Sequence, residues 1–334
     1  AASLAFFWLR ARGGRLSNIA PGTLFAAFTV LALLSARRPL RFGLSLAALL
    51  LAGTFGQRSG EGVLLRERGF FGALRVSRTS AEAAWAPGRA TAGDSAFHAL
   101  YHGATLHGLQ ATTPPLRDLP LAYYSQGSPI GQVFLSGLLP TDAQVAIVGL
   151  GVGALLAYGE PGQSFLLYEI DPQVAAIAAD PRYFTYLSSA RAAHQIILGD
   201  ARLSLSREQR RFDLLVLDAY SSDSVPVHLL TREALSLYLE RLNPRGLLAF
   251  HLSNRHLDLF PVVAGISRAL GLSAMEQLAP VSDADRAIGI MASRWALVAR
   301  RPEDFGALGD DPRWRHADPG QSTLVWTDDY SSVV

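Results

Sequence analysis

The chain of 334 residues contains no cysteine, which excludes disulfide bonds and thiolate metal sites. It also contains no lysine, so that all 30 of its basic residues are arginines. Eleven of these arginines lie within residues 1–80 beside only two glutamates, a net charge of +9, which leaves −7 on the remainder. The acidic remainder argues against a polyanionic substrate and tolerates a cationic one. The basic segment lies beside apolar runs and therefore favours anionic lipid over nucleic acid as a partner.

Charge is also missing from an apolar run of 18 residues, 19–36. As a helix this run would measure about 27 Å, close to the hydrocarbon thickness of a bilayer. A second, shorter run covers 42–56, and residues 1–9 resemble the end of a further apolar helix. Arginines are more numerous on the side where the chain starts, so the pattern predicts a membrane segment over 1–60 with the downstream domain in the cytoplasm. The alternatives are a buried helical hairpin and a signal peptide.

Residues 61–122 contain short strand-like segments, at 64–78 and 97–110, separated by a stretch rich in Ala, Gly and Pro. This pattern predicts a small β-rich subdomain ahead of the main domain, which we place at 123–334.

From residue 145 onward, apolar runs of strand length alternate with segments of helical spacing. Strands are predicted at 145–149, 165–169, 194–198, 213–217, 247–252 and 295–300, and helices near 152–159, 172–179, 230–242 and 261–270. This alternation predicts an α/β fold, a Rossmann-like and mostly parallel sheet with helices on both faces. Ligands bind beyond the carboxyl ends of the strands in such sheets. Those ends carry Gly149, Glu169, Asp200, Asp218 and His251.

The stretch 145–171 is the centre of the predicted site. Gly149, Gly151 and Gly153 follow the first strand at alternate positions, where glycine permits a tight turn and close approach of a ligand. The next strand ends on Glu169, followed by Asp171. An acidic residue about 20 positions after the first glycine can accept hydrogen bonds from the hydroxyls of a ribose. The stretch therefore predicts a nucleoside-binding site.

Two acidic residues follow the fourth strand of this series. Asp218 ends the apolar run FDLLVLD, and Asp223 lies in the loop behind it. A carboxylate that follows a buried strand is partly desolvated, which favours a role as a general base. The structural alternative for both residues is capping of the next helix.

Several motifs of this chain together resemble the spermidine synthase (polyamine aminopropyltransferase) family. They are the run from Gly149 to Glu169, RYFTYL, LGDA, LVLDAYSSDSVPVHLLT, YHGATLHGLQ, YYSQGSPIGQ and WTDDYS. The resemblance covers residues from about 64 to the end. It is strongest to membrane-attached bacterial members of the family, which are often fused to transporter-like helices.

The resemblance implies a role for each matching residue. Glu169 would hold the ribose, and Asp200 with Ala201 would hold the adenine. Asp218 would be the base that acts on the attacking amine, with Asp223 holding the polyamine and Tyr124 near the transferred group. The implied co-substrate is decarboxylated S-adenosylmethionine or S-adenosylmethionine, without a metal. The implied partner is a small cationic amine, with a second copy of the chain as an option.

One departure from the family concerns the glycine loop. The family usually reads GGGDG there, and its acid anchors the amine of the donor, whereas this chain reads GLGVG with Val152 at that place. This departure favours an S-adenosylmethionine-dependent methyltransferase as the alternative enzyme. A membrane-bound sensor that binds the nucleoside without turnover is an alternative of a different class.

Histidines suggest two further possibilities. His98, His102 and His107 could form a metal site, although no HExxH helix is present. His251 and His256 could line the pocket or be structural.

Overall fold

The computed structural model describes residues 29–30, 32–34, 37–58, 62–80, 84, 97–103, 105–219, 226–254, 257–318 and 324–331. The chain divides into two compact units, Ala1–Gly62 and Val63–Val334. The described part of the first unit contains helix α1, Pro39–Arg58. The boundary that we predict near residue 122 is a different one and stays a prediction.

The predicted membrane localisation is contradicted by the structure. Among the described residues, no helix combines the length and the apolar character that crossing a bilayer requires. The second predicted span, 42–56, falls within helix α1. Residues 1–9 and most of the run 19–36 lie outside the described residues. The expectation of N-terminal transmembrane helices was therefore wrong for the described part of the chain.

The second unit begins with a small antiparallel sheet, where the sequence predicts a β-rich segment. Its described strands are β1 (Val63–Gly69), β2 (Gly72–Thr79), β3 (Phe97–His102) and β4 (Thr105–Ala111), in the order β1-β2-β3-β4. Side chains of β1 alternate between half-buried and exposed, whereas β4 is buried along most of its length. The sheet thus presents β4 to the rest of the unit.

The main sheet of the described residues has eight strands in the order β12-β10-β11-β9-β8-β5-β6-β7. They are β5 (Gln144–Val148), β6 (Ser164–Glu169), β7 (Ala193–Leu198), β8 (Phe212–Leu217), β9 (Leu242–His251), β10 (Ser273–Ala279), β11 (Ser293–Ala299) and β12 (Arg315–His316). Strands β9, β8, β5, β6 and β7 are parallel to one another. Strands β11, β10 and β12 are added antiparallel, so the sheet is mixed rather than mostly parallel.

Strand β10 is one of two strands of the main sheet that the sequence analysis missed, the other being the two-residue strand β12. The sequence of β10, SAMEQLA, contains Glu276 and Gln277, which are polar and yet buried. Glu276 is buried because Arg294 and Arg315 both pair with its carboxylate. A buried charge needs such partners, and they come from distant parts of the chain, so no local pattern announces this strand.

Helices cover both faces of the main sheet. They are α2 (Pro129–Leu135), α3 (Pro172–Ala179), α4 (Ala201–Arg207), α5 (Arg232–Glu240), α6 (Phe260–Ala269) and α7 (Asp283–Ala287). The segment Ala154–Tyr158 after the glycine loop is a 3-10 helix. Along β5, Val145 and Ile147 belong to one core, while Ala146 and Val148 belong to the other. Burial on both faces explains why this strand is continuously apolar.

Candidate active site

The turn after β5 brings the backbone close to the end of β8. Gly149 has φ of +97°, and a Cβ placed there would lie 2.3 Å from the carbonyl oxygen of Asp218. Only glycine fits both constraints. The N–H of Asp218 donates to the carbonyl of Val148 at 2.8 Å, so Asp218 starts directly beside this turn.

Val152 does not face the cavity that the strand ends enclose. Its side chain is buried, 1% exposed, and packs against strand β4 at Gly108. A Cβ at Gly108 would come within 2.4 Å of Cγ2 of Val152. The position that carries an acid in the GGGDG loop is therefore an apolar contact between the glycine loop and the small sheet.

Glu169, at the end of β6, is buried and holds the glycine loop in place. One carboxylate oxygen accepts the N–H of Leu150 at 3.0 Å, and the other accepts the N–H of Asp171 at 2.9 Å. Burial raises the pKa of Glu169, an effect opposed by these backbone hydrogen bonds. Its carboxylate faces the cavity as well, so it can meet a ligand and the loop together.

Asp171 and Asp200 both cap helices. Asp171 accepts the N–H of Gln173 at the start of α3, and Asp200 accepts the N–H of Leu203 at the start of α4. The helix-capping role that was considered for Asp218 and Asp223 is thus observed at Asp171 and Asp200. Both residues also line the cavity, as does the buried Ala201.

Asp218 is the centre of a hydrogen-bonded cluster. The hydroxyl of Tyr124 donates to Oδ2 of Asp218 at 2.7 Å, and Nδ1 of His251 lies 2.6 Å from Oδ1. Nε2 of His251 lies 2.7 Å from Oγ of Ser253, which also accepts the N–H of Arg294 at 2.9 Å. The side chains of Asp218 and His251 are 9% and 6% exposed, so the pair is almost fully shielded from water.

The loop before α2 fixes the position of Tyr124. Ala122 forms a bridge with Ile290, and its N–H donates to the carbonyl of Gly289. The hydroxyl of Tyr158 donates to the carbonyl of Tyr124 at 2.5 Å. These contacts bring a residue 94 positions distant in sequence to Asp218.

A cavity of about 820 Å³ connects these residues. Of the residues predicted for the site, eight line it: Tyr124, Gly149, Gly151, Glu169, Asp171, Asp200, Ala201 and Asp218. Gly153 does not line the cavity, and a Cβ placed at Gly153 would meet Leu187. Asp223 and His256 lie outside the described residues.

The histidines of the small sheet are held in different ways. Nδ1 of His98 bonds to the carbonyl of Tyr183, and Nε2 of His102 bonds to the carbonyl of Phe71. His107 lines the cavity, and its buried Nε2 has no hydrogen-bond partner among the residues that the structure describes. Burial, with a smaller contribution from His102, lowers the pKa of His107 to about 4. His107 is therefore a neutral imidazole at pH 7.

Sequence reasoning left His251 undecided and missed Ser253. Both belong to the motif HLSNRH and are two positions apart at the end of β9. Residues two positions apart in an extended segment point to the same side, so the spacing could have predicted that His251 and Ser253 lie together. Ile170 and Arg294 line the same cavity and were not predicted.

Parallel strands with an acidic cavity at their carboxyl ends define a Rossmann-like α/β protein. Over 128 residues the chain is 34% identical to the polyamine aminopropyltransferase of Vibrio vulnificus (strain CMCP6). This match covers 36% of the chain and 42% of that protein, so the chain spans less than half the length of this curated relative. The resemblance to the aminopropyltransferases is thereby confirmed, but the match does not support the narrower likeness to membrane-attached members. No protein-family model matches the chain.

A solved structure agrees with this fold. A probable spermidine synthase from Corynebacterium glutamicum superimposes with a TM-score of 0.53 at 12% identity, over 81% of this chain and 98% of that one. At this identity the superposition shows the fold alone, and it confirms the predicted α/β class. The spermidine synthase from Thermotoga maritima gives a TM-score of 0.49 at 12% identity, over 80% and 82% of the two chains.

Proposed function

We propose that this chain is a spermidine-synthase-like transferase that moves an aminopropyl group from decarboxylated S-adenosylmethionine to a small cationic amine. The observation that carries the proposal is the double hydrogen bonding of Asp218, by Tyr124 and His251, inside a cavity at the strand ends. The 34% identity to a polyamine aminopropyltransferase supports the same class of reaction. A second copy of the chain as partner stays a prediction.

The charges around the cavity suit a cationic donor and a cationic acceptor. Carboxylates line it at four positions: Glu169, Asp171, Asp200 and Asp218. Among the described residues that line it, the only arginine is Arg294, whose guanidinium pairs with Glu276 and Asp258. A cavity whose charged side chains are mainly carboxylates attracts cations and repels polyanions. In the proposed complex Glu169 holds the ribose, and Asp200 with Ala201 holds the adenine.

The proposed reaction needs little covalent participation by the protein. The nitrogen of the acceptor amine bonds to the carbon next to the sulfonium sulfur, and the C–S bond breaks with its electron pair going to sulfur. The leaving group is then a neutral thioether. The protein contributes orientation, shielding from water and removal of one proton from the nitrogen. The proposed base is the hydrogen-bonded pair of Asp218 and His251.

The second candidate is a methyltransferase that uses ordinary S-adenosylmethionine. The observation in its favour is the buried contact of Val152 with Gly108, which leaves no acid at the place where the family anchors the amine of the donor. The same four carboxylates would serve either donor, because both carry the sulfonium charge.

The product formed separates the two reactions. An aminopropyltransferase releases methylthioadenosine from the decarboxylated donor, and a methyltransferase releases S-adenosylhomocysteine from the ordinary donor. We expect methylthioadenosine with a linear diamine as acceptor. If the wild type binds methylthioadenosine in a calorimetric titration but releases neither product, the chain is a nucleoside-binding protein without turnover, and both enzyme proposals fail.

Asp218→Asn tests the proposed base. The amide keeps the shape of the side chain but cannot act as a carboxylate, so we expect kcat to fall by about 10²- to 10⁴-fold. The Kd for methylthioadenosine should change by less than about threefold, because the loss lies in the transition state. Asp283→Asn, at a carboxylate whose side chain is 99% exposed, is the matched control. Undiminished turnover in Asp218→Asn would remove Asp218 from the mechanism.

A further inference from the structure

The cluster around Asp218 continues into a chain of hydrogen bonds that nothing in the predicted site accounts for. A carboxylate can only accept, so Nδ1 of His251 carries the proton in its 2.6 Å contact with Asp218. Nε2 of the neutral ring is then the acceptor, and the hydroxyl of Ser253 donates to it at 2.7 Å. The N–H of Arg294 donates to Oγ of Ser253 at 2.9 Å and fixes this oxygen from the other side.

The ring of His251 is held firmly in this orientation. It stacks on Trp295 with 4.5 Å between centroids and 9° between planes, and Tyr123 lies at 5.3 Å. Ser253 lies at the outer end of the chain, and its side chain lines the cavity together with His251. The order along this chain of hydrogen bonds is thus hydroxyl, imidazole and carboxylate, and Asp218 lines the cavity as well.

The two oxygens of Asp218 are already engaged as acceptors, by Tyr124 and by His251. An imidazole generally holds a proton more firmly than a carboxylate does. Nε2 of His251 is therefore the acceptor that the geometry offers to a proton, and it is reached from the cavity through the hydroxyl of Ser253.

We propose that Ser253, His251 and Asp218 form a proton relay in which His251, rather than Asp218, holds the proton that the acceptor amine loses. As the N–C bond forms and the C–S bond breaks, a proton passes from nitrogen to Oγ of Ser253. The hydroxyl proton of Ser253 passes to Nε2 of His251. The imidazolium is stabilised by the carboxylate of Asp218, and the electron pair of the broken bond stays on sulfur. This relay rests on the proposed transfer reaction.

The groups that face His251 favour this arrangement. Asp218 is the charged side chain in direct contact with it, and Tyr123 and Tyr124 flank the ring. Arg294 contacts Ser253 only through its backbone, because its guanidinium is paired with Glu276 and Asp258. The negative charge of Asp218 beside the ring stabilises an imidazolium.

The relay is tested with the full chain, by steady-state release of methylthioadenosine from the decarboxylated donor and a linear diamine between pH 5.5 and 9. We expect Ser253→Ala to lower kcat by about 10²-fold or more, with KM for the donor changed less than threefold. Ser253→Thr, which keeps the hydroxyl, should recover at least a tenth of the wild-type kcat. Ser267→Ala removes the hydroxyl of a buried serine that lies outside the cavity, and serves as the control.

A pH profile separates the relay from a merely structural role. In the wild type kcat should fall on the acid side of this range, and this acid limb should be absent from the residual activity of His251→Gln. A wild type that is active, with Ser253→Ala within twofold of Ser267→Ala and an unchanged acid limb in His251→Gln, would overturn the relay alone. A wild type that releases no methylthioadenosine from any amine would overturn the transfer reaction, and the relay with it.

Discussion

Glu169→Gln probes the residue that links the glycine loop to the proposed nucleoside site. Both carboxylate oxygens accept a backbone N–H, from Leu150 and from Asp171. A glutamine keeps one acceptor and turns an NH₂ group toward the other N–H. Losing one charge-assisted hydrogen bond costs roughly 1.5–3 kcal/mol. Removing a buried charge, whose burial raises the pKa of Glu169, offsets part of this loss, so we expect the unfolding free energy to fall by about 1–2 kcal/mol.

The same substitution should also weaken the binding of the nucleoside. Ribose hydroxyls would donate to a neutral amide instead of a carboxylate, and we expect binding to weaken by about 1–3 kcal/mol, a 5- to 150-fold rise in Kd. The assay is calorimetric titration with methylthioadenosine at pH 7.5. Protonation also removes the acceptor, so the wild-type affinity should weaken as the pH falls toward the raised pKa of Glu169, whereas Glu169→Gln should lack this component.

The control for this experiment is Glu160→Gln. Glu160 is exposed, pairs with Arg191 and lies outside the cavity. If Glu169→Gln binds methylthioadenosine within twofold of Glu160→Gln, Glu169 does not hold the ribose and the reasoning is refuted.

Two further predictions concern buried groups beside the cavity. Val152→Asp should not supply an amine anchor, because the new carboxyl would be buried against Gly108. It should instead lower the unfolding free energy by roughly 1–3 kcal/mol. Urea denaturation at pH 7.5 measures this change, and a variant as stable as the wild type would contradict the prediction. The pKa of His107 is lowered to about 4 from an ordinary value of about 6.5, so the stability it contributes is present above pH 6.5 and is lost as the pH falls through 4. Between pH 7.5 and 4.5 this loss should reach about 2.5 kcal/mol in the wild type and be absent in His107→Asn, and equal acid sensitivity of the two would sink the prediction.

Local pattern was sufficient to predict the strands that carry the site. The apolar runs that end at Val148, Glu169 and Leu217 are buried on both faces. A parallel strand that is covered on both faces has apolar residues at successive positions, and this pattern is visible in the sequence. Because the carboxyl ends of parallel strands lie at one edge of the sheet, the residues that follow these strands are expected to lie close together. That Gly149, Glu169, Asp200 and Asp218 line one cavity was therefore foreseeable without coordinates.

The same reasoning failed where a residue's partner is distant. Glu276 is buried in β10 only because Arg294 and Arg315 reach it, and a strand with a charged centre does not resemble a core strand. The membrane prediction failed as well: the run 42–56 lies in a helix, but among the described residues no helix is long and apolar enough to cross a bilayer.

The sequence by itself determined the α/β class, the parallel strands that carry the site and the acids at their carboxyl ends, because each depends on periodicity within a few residues. Tertiary structure alone decided what those acids contact. It turned Val152 away from the cavity and onto Gly108, and it brought Tyr124 and His251 to the two oxygens of Asp218 across 94 and 33 positions. Hydrogen bonds of 2.6–2.7 Å depend on the packing of whole elements, which fixes side chains to within tenths of an ångström, and no local pattern carries that information.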